Sequence, residues 1–376
     1  MDDAMKVTLE RTDLLKSLTH VHRVVERRNT IPILSNVLLR CEGGQLLLKA
    51  TDLDLEISER VAALVEQPGG TTVPAHMIYD IVRKLPEGAQ VALETSSDNA
   101  TLEIRAGRSR FALQMLPEAD YPDITAGEFT HGFTLPASDL RGIIDATQFA
   151  ISTEETRYYL NGIYLHAVAG EDGDRLRGVA TDGHRLARAE VPAPAGAMGM
   201  PGVIVPRKTV GEIQKLLEAP DAETRVEISD TKIRITTGDV VLTSKLIDGT
   251  FPDYGRVIPQ NNDKEMLVDR DEFKAAVDRV STISSERGRA VKLAMSEGRM
   301  ILTVVNPDSG SATEELAIDY DADPLEIGFN SRYLLEITGQ LRGDTATFRF
   351  ADAGAPTLIQ DKGSLDTLYV LMPMRV

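Results

Sequence analysis

Short apolar runs and helical stripes alternate along this chain in an order that recurs. Val7-Thr8-Leu9 leads through a polar turn into Asp13-Leu14-Leu15-Lys16-Ser17-Leu18, whose apolar positions fall on one side of a helix. Phe133-Thr134-Leu135 leads into Asp139-Leu140-Arg141-Gly142-Ile143-Ile144, and Met266-Leu267-Val268 into Glu272-Phe273-Lys274-Ala275-Ala276-Val277. Each stripe opens on an acid, which suits the positive end of a helix. A second set runs from Val73-Pro74-Ala75 to Leu85, from Val205-Pro206-Arg207 to Leu217 and from Phe329-Asn330-Ser331 to Leu341. Its copies lie 132 and 124 residues apart at both ends. Proline in two copies is expected in the first helical turn, where a missing N–H costs least. Met115-Leu116-Pro117 and Leu371-Met372-Pro373 keep the summed offset of 256. The chain reads as one domain in triplicate.

Between the helices the pattern is that of strands. Val37-Leu38-Leu39-Arg40, Leu46-Leu47-Leu48-Lys49 and Leu55-Glu56-Ile57-Ser58 are separated by Glu42-Gly43-Gly44 and Thr51-Asp52, both turn chemistry. Val91-Ala92-Leu93-Glu94, Leu102-Glu103-Ile104-Arg105 and Phe111-Ala112-Leu113 follow the second helix. The expected fold is α+β, each domain being strand–helix–three strands performed twice. Domains are expected over 1–125, 131–258 and 264–376, with polar, turn-rich boundaries near 125–130 and 259–264. Ala193-Pro194-Ala195-Gly196-Ala197 reads as a surface loop inside the second domain. The sheets either form three separate beads or join edge to edge into one curved wall.

Composition narrows the function. With 376 residues, 42% hydrophobic and 26% charged, the chain is neither disordered, collagenous nor coiled coil. Forty-one basic against 58 acidic residues give a net charge of −17, which excludes nucleic-acid affinity resting on a basic surface. Windows over the six helices nevertheless sum to +4, leaving −21 on the remainder. That asymmetry favours a polyanion on the helical side. A single cysteine, Cys41, allows no internal disulfide and reads as a small core residue in a reducing compartment. The acidic start is unlike a signal peptide, and Met5 reads as an alternative start after a disordered extension. No run approaches the ~18 apolar residues of a membrane helix. A cytoplasmic protein is expected.

Known catalytic signatures are missing: there is no phosphate loop, nucleophile elbow, His-Glu-x-x-His or Cys-x-x-Cys. Six scattered histidines lack metal-ligand spacing, since His20 and His22 straddle two helix faces. No metal or cofactor is expected. Thr181-Asp182-Gly183-His184-Arg185 invites an acid–base reading around His184 and Asp182. Thr51-Asp52 stands 130 residues earlier, so the Thr-Asp pair reads as an architectural turn. Gly183, His184 and Arg185 are then left as features of the second copy alone. The apolar, Met-containing end Val370-Leu371-Met372-Pro373-Met374-Arg375-Val376 is either a core strand or an adaptable peptide-binding surface.

The chain resembles the β sliding clamp family of bacterial DNA polymerase III. The resemblance rests on Ile31-Pro32-Ile33-Leu34-Ser35-Asn36, Arg157-Tyr158-Tyr159-Leu160-Asn161-Gly162 and Thr181-Asp182-Gly183-His184-Arg185-Leu186-Ala187. Phe251-Pro252-Asp253-Tyr254 and Tyr369-Val370-Leu371-Met372-Pro373-Met374-Arg375 complete it, and it spans essentially Met5 to Val376. It implies a non-catalytic processivity factor, a head-to-tail homodimer closing a ring around duplex DNA, with sheets outside and helices lining the inside. A closed ring is held by topology, so an acidic protein can slide without strong phosphate contacts.

The resemblance also implies a pocket between the second and third domains for short motifs of the polymerase catalytic subunit, the clamp loader, and other polymerases and repair proteins. By matched position its residues are Leu160, Thr181, Gly183, His184, Arg185, Leu186, Pro252, Arg256, Val257, Asn330, Tyr333, Val370, Met372, Pro373, Met374 and Arg375. Near Arg287-Gly288-Arg289 the family carries an aromatic where this chain has Gly288. DNA contact is expected from Arg28, Arg157, Tyr158 and Tyr159, with Arg207 and Lys208 as further basic candidates. The polar residue expected shortly before Arg157 is here Glu154 or Glu155, which weakens DNA contact locally. For the subunit contact, Arg105, Arg108 and Arg110, with Phe111 and Leu113 beyond, face Glu314, Glu315 and Ile283. Two other readings remain: a triplicated interaction module that never meets DNA, and an enzyme using His184 and Asp182.

Overall fold

Three runs of elements follow one another in the computed structural model, which describes residues 4–125, 127–285 and 289–376. The first is β1 (Lys6–Glu10), α1 (Arg11–Val21), β2 (Asn36–Glu42), β3 (Gln45–Thr51), β4 (Leu55–Ala62), β5 (Leu64–Gln67), β6 (Gly69–Pro74), α2 (Ala75–Lys84), β7 (Gln90–Thr95), β8 (Thr101–Ala106) and β9 (Ser109–Gln114). The second is β10 (His131–Pro136), α3 (Ala137–Thr147), β11 (Gly162–Val168), β12 (Arg175–Thr181), β13 (Arg185–Pro192), β14 (Val203–Pro206), α4 (Arg207–Leu216), β15 (Glu223–Ile228), β16 (Lys232–Thr237) and β17 (Val240–Lys245). The third is β18 (Lys264–Asp269), α5 (Arg270–Ser281), β19 (Ala290–Ser296), β20 (Arg299–Asn306), β21 (Gly310–Ala317), β22 (Leu325–Asn330), α6 (Ser331–Thr338), β23 (Thr345–Phe350), β24 (Thr357–Asp361) and β25 (Thr367–Leu371). Strand–helix–three strands thus occurs six times, with β5 as one addition. Sequence reading missed β5 because Leu-Val-Glu-Gln is mostly exposed and too short to show a buried face; it pairs with the edge of β1.

Residue contacts divide the chain into two units. The first comprises Met1–Ser138, Pro194–Pro201 and Gly211–Leu246; the second, Asp139–Ala193, Gly202–Val210 and Ile247–Val376. The first unit holds a five-stranded sheet in the order β5-β1-β7-β8-β9 and an eight-stranded sheet, β10-β15-β16-β17-β4-β3-β2-β6. Helices α1 and α2 pack together and bury Leu14, Leu18, Val21, Ile78 and Val82. Strands β17 and β4 join the second run to the first, antiparallel, from Val240↔Glu59 to Ser244↔Leu55.

The second unit repeats this plan. Its eight-stranded sheet runs β14-β11-β12-β13-β25-β24-β23-β18, and its four-stranded sheet β21-β20-β19-β22. Here β13 and β25 join the second run to the third, from Arg185↔Leu371 to Ala189↔Thr367. Helices α5 and α6 pack together over buried Phe273, Val277, Leu334 and Ile337. Of the two expected arrangements, the sheets join edge to edge at both junctions.

Two corrections and one refinement concern local structure. A residue just beyond the last strand of each run caps the strand before the second helix: Leu116 bonds Thr72 (3.1 and 3.2 Å), the Ile247 N–H reaches the Ile204 carbonyl (3.0 Å), and the Met374 N–H reaches that of Gly328 (2.7 Å). Met374 is therefore the counterpart of Leu116, two residues beyond the 256-residue offset, and the Met-Leu-Pro/Leu-Met-Pro match is fortuitous. Pro74 occupies the N-cap of α2 rather than its first turn. At the matching place Asn330 caps α6, its side chain accepting the Arg332 and Tyr333 N–H groups. Finally, the 193–197 stretch is a surface loop as expected, with Ala195 and Gly196 exposed, but it is anchored at its far end. Ala197 and Met200 are buried, and a Cβ on Gly196 would meet the Gly132 carbonyl of β10 at 2.5 Å. Cys41 is a buried free thiol, as expected. Among the described residues no helix is long and apolar enough to cross a membrane.

Candidate functional site

The Thr-Asp turns position the site. After β12, Asp182 Oδ1 accepts the N–H groups of His184 (2.9 Å) and Arg185 (3.1 Å), while Thr181 Oγ1 donates to the Arg185 carbonyl (2.7 Å). After β3, Asp52 Oδ1 accepts those of Asp54 (3.0 Å) and Leu55 (2.8 Å). The two turns are one structure, and the third residue of each is left-handed: Leu53 at φ 79° and Gly183 at φ 88°. Glycine suits the second turn, since the left-handed backbone favours it and a Cβ there would lie 2.6 Å from Arg157 Nη1 and push that guanidinium aside. Asp182 also accepts a bond from Arg185 Nε (3.2 Å). Its carboxylate serves the turn and Arg185, not the His184 ring.

Beside this turn a cavity of about 250 Å³ opens in the second unit. Nine of the expected residues line it: Leu160, Thr181, Gly183, Arg185, Leu186, Pro252, Val257, Val370 and Met372. Its floor is a buried cluster of Leu160, Val179, Leu186, Ile204, Phe251 and Val370. Arg157 and Tyr159, expected at DNA, also line this cavity. Tyr158 beside them is 53% exposed. Met372 and Val257, both exposed, supply adaptable apolar surface at the mouth.

The other expected pocket residues surround the cavity or leave it. The His184 carbonyl accepts the Met372 N–H at 3.0 Å, and its ring stacks toward Tyr333 at 6.2 Å. Burial raises the Tyr333 phenol above its ordinary value, so it stays protonated. Asn330 acts through its cap on α6. Arg256 is solvent-exposed in an ion pair with Asp253 (2.9 Å). Pro373, Met374 and Arg375 line a separate groove against Glu326, Gly328 and Gly354. Gly288 and Arg287 lie outside the described residues.

Side chains distant in sequence hold the walls. Arg185 is buried with its guanidinium between Phe149 (4.9 Å) and Tyr333 (4.2 Å), bonded to the Phe149 carbonyl and to Glu336. Behind Pro252 and Val257, the Tyr254 hydroxyl meets His166 Nε2 (2.8 Å) and accepts a bond from Arg177 (2.9 Å). Burial, helped by Arg177, pushes His166 down to about 4, so it is neutral at pH 7. Neither Glu336 nor Tyr254 was singled out for these roles, because no local pattern marks a pairing across 151 or 88 positions.

The equivalent junction in the first unit carries charge where the second is apolar. The Asp54 carbonyl accepts the Lys245 N–H (2.8 Å) just as His184 accepts that of Met372. At that junction, however, Asp54 and Lys245 form an ion pair (3.1 Å), and buried Glu56, paired with Lys49 (3.3 Å), stands where Leu186 stands in the second. A charged floor cannot hold apolar side chains.

Arg28, Arg207 and Lys208 are exposed, the last two opening α4. Arg105 on β8 bonds Glu103 in its own strand, Arg108 lies in the following turn, and Arg110, Phe111 and Leu113 lie on the edge strand β9. Glu314 and Glu315 lie on the edge strand β21, but each already has a partner in its own unit, Arg279 (2.5 Å) and Arg299 (3.6 Å). They are not the free acids that the sequence reading set against the basic strand. Ile283 is half-buried just beyond α5.

Known proteins match this arrangement throughout. Models described as the N-terminal, central and C-terminal domains of the DNA polymerase III beta subunit match residues 5–125, 134–253 and 255–375. The beta sliding clamp of Caulobacter vibrioides is 54% identical over 372 residues, covering 99% of this chain and 100% of that protein. That of Escherichia coli K12 is 41% identical over 373 residues, with the same coverage. The crystal structure of a Bartonella birtlesii DnaN sliding clamp bound to griselimycin has a TM-score of 0.96 and 57% identity, covering 99% of this chain and 100% of that one. The Caulobacter crescentus clamp has a TM-score of 0.97 and 54% identity over 100% of both chains. The chain, with its three tandem clamp domains, belongs to the DNA polymerase III beta subunit family, the beta sliding clamps.

Proposed function

We propose that two copies of this chain close head to tail into a ring around duplex DNA and tether DNA polymerase III to its template in the cytoplasm. Its family is a non-catalytic processivity factor of that polymerase. The pocket beside Gly183 and Met372 receives short motifs from the polymerase catalytic subunit, the clamp loader and other polymerases and repair proteins.

The observation that carries ring closure is a pairing rule. At each junction the third strand of one run's first half pairs with the last strand of the next run: β4 with β17, and β13 with β25. The same rule leaves β21 and β9 as sheet ends. A second copy satisfies both. Carrying the registers Glu59↔Val240 and Ala189↔Thr367 over to these strands pairs Glu314 with Ser109 and Ala312 with Phe111. Phe111 is 38% exposed in the single chain. With Glu314 and Glu315 already engaged, the strand ladder and the apolar residues Phe111, Leu113 and Ile283 supply most of the affinity.

Retention on DNA tests the proposal. The labelled protein is loaded onto a nicked circular plasmid by a cognate clamp loader with ATP and gel-filtered before and after linearisation. Retention on the circle and loss on cutting is the expected result. Equal retention on both forms means surface binding and overturns it. No retention, with the loader active on a control clamp, favours an interaction module that never meets DNA.

A further inference from the structure

Three carboxylates and three guanidiniums form ion pairs around the wall residues Arg157 and Arg185. Glu154 accepts two bonds from Arg157, Nε at 2.9 Å and Nη2 at 2.7 Å. Asp182 accepts one from Arg185, Arg185 reaches Glu336, and Glu336 accepts one from Arg332 (3.0 Å). The Arg157–Glu154 bonds hold the Glu154 carboxyl below its usual range, with the field of His184 acting in the same direction. Asp182 acts on Arg157 through space as a second negative charge. Nη1 of Arg157 and one N–H of Nη2 remain outside the Glu154 pair, and Nη1 lies over Gly183 in the pocket wall.

We infer that Glu154 makes this pocket indifferent to acidic residues in its peptide ligands, because Glu154 already offsets the charge of Arg157 and lies beside the Nη1 and Nη2 N–H groups left for a ligand. This rests on the peptide-binding reading of the pocket. A ligand carboxylate that reached Arg157 would meet the Glu154 carboxylate as well, so attraction and repulsion offset each other while desolvation remains. A backbone carbonyl or side-chain amide can take the Nη1 hydrogen bond without that repulsion. Glutamine at 154 would keep the shape, remove one negative charge from a balanced rim and free a fork suited to carboxylates.

The test is a hexapeptide panel with Leu fixed at the last two positions as apolar anchors and Asp or Asn placed in turn at each other position. Affinities are measured by fluorescence polarisation on the full-length protein. In the wild type the Asp/Asn ratio is expected to stay within about twofold at every position. In Glu154→Gln at least one position is expected to favour Asp by about three- to fivefold, the range of an exposed ion pair, and a further Arg157→Gln change should erase the preference. A wild-type preference for Asp beyond threefold, or the same ratios in Glu154→Gln, overturns the inference. Met372→Ala separates the two readings. A loss of affinity across the panel supports the pocket; unchanged affinity, or no binding by the wild type, removes the pocket and the inference with it.

Discussion

Gly183 and Leu53 occupy the same position of matching turns, and Gly183 lines the cavity of the second unit. Leu53 holds a left-handed backbone with its side chain in place, whereas Gly183 is left-handed and lies under the Arg157 guanidinium. Gly183→Ala is expected to cost about 1 kcal/mol of stability and to displace Arg157 from the pocket wall. A thermal melt and peptide titration check this; unchanged affinity would mean that Arg157 does not shape the site. His166 carries a pH dependence. Its folded value, about 4, lies below that of the free side chain, so on acidification the unfolded chain takes up this proton first. Its contribution is complete above about pH 6.5 and drains away toward pH 4, to a total of at most about 3 kcal/mol. Urea midpoints at pH 7 and pH 5 should therefore fall further in the wild type than in His166→Gln, and equal falls would refute the assignment.

At the scale of elements, pairing decides more than propensity does. The helices were legible because their apolar stripes and opening acids are local signals: Asp13 and Glu272 stand in the first turns of α1 and α5. The turns were legible from Thr-Asp and Gly-Gly. Which strand edges meet was not, because β17 and β4 come together across almost 200 residues through backbone groups that every sequence has. The proposed dimer ladder can be tested at this scale. At both internal junctions the positions matching Ser109 and Glu314 are non-hydrogen-bonded pairs, the closer kind, with Cα atoms about 4.5 Å apart. Ser109→Cys with Glu314→Cys should give a covalent dimer under mild oxidation, and Ser109→Cys with Thr313→Cys far less. Cys41 is buried and stays out of the reaction. The reverse preference would mean that the register slips by one.

For the whole molecule, net charge and topology act together. A chain of charge −17 repels DNA over most of its surface, and ring closure removes the need for tight phosphate contacts. Plasmid retention that survives 0.3 M salt yet ends on linearisation is the expected behaviour. A steep loss with salt on intact circles would indicate phosphate binding instead. Two units of similar plan, each with one internal junction, differ in what the junction carries. Leu186 and Met372 make an apolar site in one, and Glu56 and Lys245 fill the other with charge. Triplication therefore supplies the junctions, and a few substitutions assign them different work.

Periodicity and turn residues determined the α+β class and the order of helix and strands, because these depend on neighbours within a dozen positions, and the constant repeat spacing along the chain determined the three tandem copies. Matched motifs supplied most residues of the pocket. Tertiary structure alone decided which of them share a cavity. It placed Arg157 and Tyr159 in the pocket wall, moved Pro373, Met374 and Arg375 to a second groove, and tied Glu314 and Glu315 to arginines of their own unit. It also set Glu154 against Arg157 and Glu336 against Arg185. Side-chain pairing follows distances in space, and those are fixed only once the sheets have joined.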